Sequence, residues 1–261
     1  MFFSLSTWQL ALVLVVIMFG ATFLGLWIGG RLSHRKDVLR DPVGIVQGAL
    51  LTLVALILAF GLSMAVGRHD ARRAAVVNDA NAIGTTYLRA QTLQEPQRTE
   101  SMDLLRQYTA ASLDLSAAIP GSDDQKRAVA AESAIQDDLW RLAGEAMAAA
   151  PVDSAPRLYM ETLNEMIDMQ TTRVAALNNR VPYAIVLFEV LGAAAALALT
   201  SMYLALLSRG KVAILLTAGM LTLLIFVSFD LDRPTRGFIE IPSTPLDALQ
   251  HSMQDPPAYS P

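Results

Sequence analysis

Four long apolar runs dominate the sequence, and each is long enough to cross a lipid bilayer. They cover residues 8–28, 43–66, 182–207 and 212–229. A membrane-spanning helix needs about 20 apolar residues at a rise of about 1.5 Å per residue. Only helices and closed barrels satisfy their backbone hydrogen bonds in lipid, and continuous rather than alternating apolarity favours helices. The pattern therefore predicts four transmembrane helices.

The segment between the second and third runs, residues 68–180, has an ordinary soluble composition. Its apolar residues recur every three or four positions, which is typical of amphipathic helices. The four stripes are Val76, Ala80, Ile83 and Tyr87; Leu104, Tyr108, Ala111 and Leu115; Ala128, Ala131, Ile135, Leu139 and Leu142; and Leu163, Ile167, Gln170, Val174 and Leu177. We therefore predict an all-α protein with four transmembrane helices and a helical extramembrane insert between spans two and three.

This pattern divides the chain into four parts. Residues 1–67 hold spans one and two, 68–180 form the insert, and 181–230 hold spans three and four. Residues 231–261 are rich in proline, and we expect them to form an extended tail with a disordered end. Because no linker composition separates them, we also expect spans two and three to run without interruption into the first and last helices of the insert.

Composition narrows the class of protein. Hydrophobic residues make up 53% of the chain and charged residues only 17%, whereas soluble domains hold about 25% charged residues. The net charge of −4 argues against a nucleic-acid partner. The chain has no Cys, and its three His are scattered, so neither a disulfide framework nor a metal site is expected. We find no cofactor motif or catalytic signature and expect no cofactor and no enzyme.

Basic residues leave the orientation in the membrane open. Four spans place both termini and the insert on one side. The short loops on the opposite side carry six basic residues: Arg31, Arg35, Lys36, Arg40, Arg209 and Lys211. The insert side carries seven near the membrane: Arg68, Arg72, Arg73, Arg173, Arg180, Arg233 and Arg236. The count decides nothing, but the density in the short loops favours an extracytoplasmic insert under the positive-inside rule.

Three segments resemble the bestrophin-like family of bacterial membrane proteins. They are the run from Phe60 to Arg73, the run from Asn78 to Arg89, and the run from Asp230 to Leu246; Leu163–Met166 is similar to a segment of bestrophins proper. The resemblance covers about residues 43–247. It implies a protein of the bacterial inner membrane, a homopentamer around a central pathway for chloride or other small anions, and a cytosolic insert. That placement conflicts with the charge density, and both orientations stay open.

The resemblance also implies a narrow neck on span two. Its residues would be Phe60, Leu56 and Thr52, which follow one another at helical-turn spacing. Rings of apolar side chains gate channels by dewetting. Thr52 departs from this apolar pattern because its side chain is polar. The alternative is that Leu56 and Phe60 simply pack against neighbouring helices. Animal bestrophins carry a calcium clasp after the last span, but Asp230 and Asp232 supply too few oxygens for one here.

Charged residues in or near the spans form the remaining candidate sites. Glu189 is the only charged residue within the four runs. Ionisable groups inside a membrane usually face a helix bundle or a water path, so Glu189 is either an intramembrane switch or a neutral group at a helix interface. A second set of charged residues lies at the ends of the spans. Three roles stay open for it: charged rings at a pore mouth, contacts with lipid headgroups, or ion pairs. Its members are Arg68, Arg72, Arg73, Asp230, Asp232, Arg233 and Arg236.

Two other functional classes stay open beside an anion channel. A helical domain between two spans is also how a membrane-anchored sensor or scaffold presents a binding site for a ligand or partner. A transporter is less favoured, because the sequence shows no inverted repeats or pairs of interrupted spans. In each case the lipid bilayer is the first partner of the chain.

Overall fold

The computed structural model describes residues 6–207 and 210–254. Within these ranges the chain forms eight α-helices and no strand. In chain order they are α1 (Thr7–Arg31), α2 (Lys36–Ala90), α3 (Gln97–Ala117), α4 (Asp123–Ala149), α5 (Ser154–Asn178), α6 (Tyr183–Leu206), α7 (Lys211–Leu231) and α8 (Thr244–Ser252). A 3₁₀ turn, Ser33–Arg35, joins α1 to α2. The predicted all-α fold is confirmed.

The four predicted transmembrane helices are also confirmed. Segments of α1, α2, α6 and α7 are long and apolar enough to cross a membrane. Large apolar side chains on their outer surfaces are exposed, including Leu12 on α1 and both Leu216 and Met220 on α7. Such surfaces suit a lipid environment, because lipid tails are as apolar as these side chains.

The chain divides into two compact units. The first, here called the membrane unit, comprises Met1–Arg68 and Arg180–Ile239. The second, here called the helical unit, comprises His69–Asn179 and Glu240–Pro261. Helix α2 contributes its first part to the membrane unit and its last part to the helical unit.

Helices α1 and α6 pack closely in the membrane unit because two glycines remove side-chain bulk. A Cβ atom at Gly25 would clash with the backbone carbonyl of Ala198, and one at Gly29 would clash with that of Met202. Small residues spaced four apart are a common way for membrane helices to bring their backbones together. Around this contact, apolar side chains from α1, α2, α6 and α7 form one core.

The predicted amphipathic stripes form most of the core of the helical unit. The whole stripe on α2 is buried, from Val76 to Tyr87. Most members on α3, α4 and α5 are buried or half-buried, and α4 starts after the N-cap Ser122, whose hydroxyl accepts from the Gln125 amide. The stripe on α4 is wrong at Ala131, which is exposed because the neighbouring Glu132 takes the inward position.

Two expectations need correction: an uninterrupted helix from the insert into span three, and a tail that is extended throughout. Helix α2 runs through residues 43–90 as expected, but α5 ends at Asn178 and α6 begins only at Tyr183. Pro182 disfavours helical geometry at the residue before it, which separates the two helices. The tail is not extended throughout, because α8 occupies Thr244–Ser252. The expected disorder of the end and the loop residue Arg209 lie outside the described residues.

Candidate pore surface and charge sites

In the membrane unit, α2 has one packed face and one exposed face. Val54, Leu58, Gly61 and Ala65 recur at three- and four-residue spacing and are buried. The predicted neck residues lie on the other side of the helix, because residues four apart follow one another along the same face. Their column, Thr52, Leu56 and Phe60, is here called the α2 column.

The α2 column lies outside the core of the membrane unit. Leu56 is 53% exposed and Phe60 is 62% exposed. Packing against helices of the same chain therefore leaves more than half of each side chain exposed. Thr52 is also exposed, and its hydroxyl donates to the Gly48 carbonyl at 2.9 Å within the same helix. This local bond satisfies the hydroxyl proton, so Thr52 fits an otherwise apolar column.

Glu189 faces α2 and not the outer surface of the unit. It lies on α6, and its side chain is buried, with 4% of the residue exposed. A Cβ atom at Gly61 would clash with Glu189 Oε1, so the missing side chain at Gly61 makes room for the carboxyl group. Arg68, two helical turns further along α2, supplies a nearby positive charge. Glu189 therefore sits against the packed face of α2, on the side away from the α2 column.

Asp232 joins three elements at one end of the membrane unit. Its Oδ1 accepts a hydrogen bond from Arg68 Nε at 3.1 Å, and its Oδ2 accepts one from the Val181 backbone amide at 3.1 Å. The Asp232 side chain is buried. These bonds link the end of α7 to α2 and to the segment before α6, so the ion-pair interpretation holds for Arg68.

Asp230 fixes the chain that follows α7. Its Oδ2 accepts from the backbone amides of Phe238 at 2.8 Å and Ile239 at 2.9 Å. Gly237 sits so close to this carboxylate that a Cβ atom there would lie 2.8 Å from Asp230 Oδ1. The carboxylate therefore holds a closed turn.

Two further arginines at this end of the membrane unit differ in exposure. Arg233 is buried and lies within electrostatic reach of Asp230. Arg236 is exposed, while its backbone carbonyl accepts a hydrogen bond from the Thr7 hydroxyl at the start of α1. Only Arg236 of this pair therefore presents its charge at the surface.

Arg72 and Arg73 belong to the helical unit, so the predicted charge set does not form one cluster within either unit. Arg72 is buried, and it donates to the carbonyls of Ala176 at 3.2 Å and Asn179 at 2.6 Å. These carbonyls lie at the C-terminal end of α5, where a positive charge is favourable. Arg73 is exposed. The structure thus gives Arg72 a role in closing α5 and leaves Arg73 at the surface.

Comparison with known proteins identifies the family of this chain. Residues 16–246 match the family model described as the Bestrophin-like domain. The chain belongs to the Bestrophin-like family. A search of curated proteins found no match.

Solved structures of a bacterial bestrophin homologue share the fold of this bestrophin-like protein. A crystal structure of the homologue from Klebsiella pneumoniae is 12% identical, with a TM-score of 0.67 over 91% of this chain and 97% of that one. A point variant of the same homologue is 13% identical, with a TM-score of 0.68 over 91% and 96% of the two chains. At this identity the likeness establishes the fold alone.

This bestrophin-like protein buries a group of charges that its sequence did not indicate: Asp79 and Glu132 were not predicted as sites, and Arg173 was expected near the membrane. Asp79, Glu132 and Arg173 all lie in the core of the helical unit. Arg173 Nη1 donates to Asp79 Oδ2 at 2.7 Å. Glu132 Oε2 accepts from Gln170 Nε2 at 3.0 Å. Burial raises the pKa of Asp79, against the opposing effect of Arg173, and raises the pKa of Glu132 to about 7.

Proposed function

We propose that this bestrophin-like membrane protein is an oligomeric anion channel whose pathway is lined by the α2 column. The observation that carries the proposal is the exposure of Leu56 and Phe60 on the face of α2 opposite its packed face. Rotational assembly, as a pentamer by analogy with bestrophins, brings one column from each subunit around a common axis. The columns then form a narrow apolar neck of the kind that gates by dewetting.

Charge at one end of the membrane unit supports selection of anions such as chloride. Arginines outnumber aspartates there: Arg68, Arg180, Arg233 and Arg236 against Asp230 and Asp232. Each subunit therefore contributes an excess of positive charge, and a ring of subunits multiplies it. Such a ring raises the local anion concentration. Glu189 packs on Gly61 on the other side of α2, and Arg68 supplies a positive charge near it.

Flux through reconstituted protein tests the channel. We expect the purified protein to carry halide into liposomes, and Phe60→Ala to increase the flux several-fold because the neck widens. Leu216→Ala is the matched control, since Leu216 is a 66% exposed apolar residue on α7. Absence of halide flux contradicts the channel, and equal flux from both variants removes Phe60 from the neck.

Engineered thiols test which helix lines the pathway. The chain contains no Cys, so Leu56→Cys carries the only thiol. We expect an anionic thiol reagent to block halide flux through this variant and to leave Leu216→Cys unaffected. Equal sensitivity of both variants contradicts lining by α2. Particle images of the detergent-solubilised protein give the number of subunits and show whether an axial pore exists.

Glu189 is the proposed intramembrane switch. Glu189→Gln keeps the size of the side chain beside Gly61 and removes its charge. If protonation of Glu189 controls the pathway, halide flux of the natural protein depends on pH and flux of the variant does not. The same pH dependence in both proteins assigns Glu189 to helix packing alone.

The proposed orientation in the inner membrane places the helical unit in the cytoplasm, as in the bestrophin arrangement. A reporter fused after the C-terminus distinguishes the two sides. A periplasmic reporter contradicts this arrangement. A reporter in the periplasm would instead favour the alternative function, a membrane-anchored sensor or scaffold.

A further inference from the structure

The core of the helical unit contains a buried ion pair that ties α2, α3 and α5 together. Arg173 Nη1 donates to Asp79 Oδ2 at 2.7 Å and to Ser112 Oγ at 2.6 Å. Its Nη2 donates to the Ser112 carbonyl at 2.9 Å and to Ser116 Oγ at 2.5 Å. Ser112 Oγ in turn donates to Asp79 Oδ2 at 3.1 Å. Asp79 thus has its own positive partner.

A second buried acid, Glu132 on α4, lies beside this pair. The residue is 0% exposed. Its Oε2 accepts from Gln170, whereas its Oε1 is buried and accepts no hydrogen bond within the described part of the chain. Three helices contribute polar or charged groups near the Glu132 carboxyl. They are Gln170 and Arg173 from α5, Tyr108 and Ser112 from α3, and Asp79 from α2.

These groups provide one positive charge for two carboxylates. Arg173 is the only cation among them, and its short bond to Asp79 already uses it. An ionised Glu132 would bury a second negative charge with an oxygen that accepts no hydrogen bond, which is costly. A proton on Glu132 removes that charge. In agreement with this geometry, burial raises the pKa of Glu132 to about 7, although Gln170 and Arg173 oppose the shift.

We propose that Glu132 is a proton-binding site of the helical unit and that loss of its proton loosens α4 from α5. Water must reach Oε1 of the ionised carboxylate, the oxygen that accepts no hydrogen bond within the described part of the chain, and α4 must move within the core to admit it. The inference concerns the helical unit alone and holds whether or not the membrane unit conducts anions.

The direction of the pH effect follows from proton binding. An ordinary glutamate has a pKa of 4.5, and folding raises the pKa of Glu132 to about 7. Between these values the folded chain holds the proton and the unfolded chain has lost it. The contribution of Glu132 to stability is therefore full below the lower value and decreases as pH rises through the window. Above about pH 7 it has been lost.

Thermal unfolding of the full chain in detergent tests this site. We expect the unfolding temperature of the natural protein, relative to Glu132→Gln, to fall by about 5 °C between about pH 5 and about pH 8. The Gln variant keeps an oxygen that accepts from Gln170 but does not titrate. Glu161→Gln is the control, because Glu161 is exposed on α5. Identical pH profiles for the natural protein and Glu132→Gln overturn the proposal.

Asp79→Asn provides a second test that does not depend on changing Glu132. The variant removes the negative charge that opposes ionisation of Glu132. The positive charge of Arg173 then has Glu132 as its remaining carboxylate among these groups. We expect the transition to move to lower pH. A transition that stays in place, with the same amplitude, shows that another group titrates.

Two spectroscopic measurements separate proton binding from simple packing. Infrared difference spectra should show a protonated carboxyl band near pH 6 that disappears as pH rises and is absent from Glu132→Gln. Hydrogen exchange of α4 and α5, corrected for its intrinsic pH dependence, should then rise in the natural protein only. Absence of the band overturns the proton site, and unchanged exchange overturns the loosening.

Discussion

The two units differ in how far buried polar side chains join their helices. In the membrane unit, hydroxyl groups bond within their own helix: Thr22 donates to the Met18 carbonyl at 2.8 Å, and Ser201 donates to the Leu197 carbonyl at 2.6 Å. In the helical unit, the buried Thr109 hydroxyl also bonds within its own helix, to the Leu105 carbonyl at 2.8 Å, but other buried polar groups join different helices. Gln136 of α4 donates to the Tyr108 hydroxyl of α3 at 3.0 Å.

This difference reflects what each solvent offers to a helix pair. Lipid gives no hydrophobic drive for helix association, so α1 and α6 rely on close backbone contact at Gly25 and Gly29. In the helical unit, water drives apolar side chains together but does not by itself choose the partners. Bonds such as Arg173 to Asp79 then specify which helices meet and in which register.

Breaking the central ion pair of the helical unit has the largest expected effect on stability. Arg173→Met leaves Asp79 buried without its positive partner, which should lower the free energy of unfolding by about 3 to 5 kcal/mol. Denaturant unfolding of the full chain measures the loss. Arg157→Met, an exposed change on the same helix, should be nearly neutral.

A double variant sharpens that result. Asp79→Asn combined with Arg173→Met removes both charges, and it should recover part of the stability lost in Arg173→Met. If the double variant is no more stable than the single one, the lost stability came from the packing of the long side chain and not from the buried charge.

The corresponding change in the membrane unit is steric. In Gly25→Ala the new Cβ meets the backbone carbonyl of Ala198, and α1 must move away from α6. We expect a loss of roughly 1 to 3 kcal/mol from this overpacking. Thermal unfolding in detergent measures it, with Gly20→Ala as the control because nothing lies near Gly20. Equal stability of both variants would show that close backbone contact is not what holds these helices.

The smallest effect is expected for Asp232, where the membrane unit does use a bond between elements. Asp232→Asn keeps an acceptor for the Val181 amide but removes the charge that pairs with Arg68, at a cost of about 1 to 2 kcal/mol. The exposed pair of Lys126 and Asp123 is the comparison, and Asp123→Asn should leave the unfolding temperature unchanged. Equal effects from the two variants would deny the buried pair a special role.

Hydrophobic periodicity was enough to predict the fold but not the interior charges. Val76 and Ile83 identified the buried face of α2. Asp79 lies on that same face, three residues after Val76 and four before Ile83. Likewise, Arg173 lies four residues before Leu177 on the α5 stripe. A charge placed inside an apolar stripe was therefore the available signal. Spacing alone, however, does not identify the partner that offsets the free-energy cost of burying the charge.

The missed helix in the tail had a signal of its own. A high proline content favours an extended tail, but Pro245 lies in the first turn of α8, where a missing amide proton costs nothing. Leu246, Leu249 and Met253 follow at helical spacing and pack into the core of the helical unit. The α2 column differs, because sequence and resemblance selected its residues but only the fold shows them outside the core of the chain.

The glycine pair on α1 has a consequence for the synthesis and membrane insertion of the protein. Gly25 and Gly29 leave the ribosome about 170 residues before Ala198 and Met202, the residues they contact. At ordinary synthesis speeds, α1 then waits in the bilayer for roughly 10 to 35 s. Throughout that interval its bare backbone face is open to other small-residue helices, including α1 of a neighbouring nascent chain. Emergence of α6 ends this exposure, so the order of synthesis sets the time during which α1 is open to wrong partners.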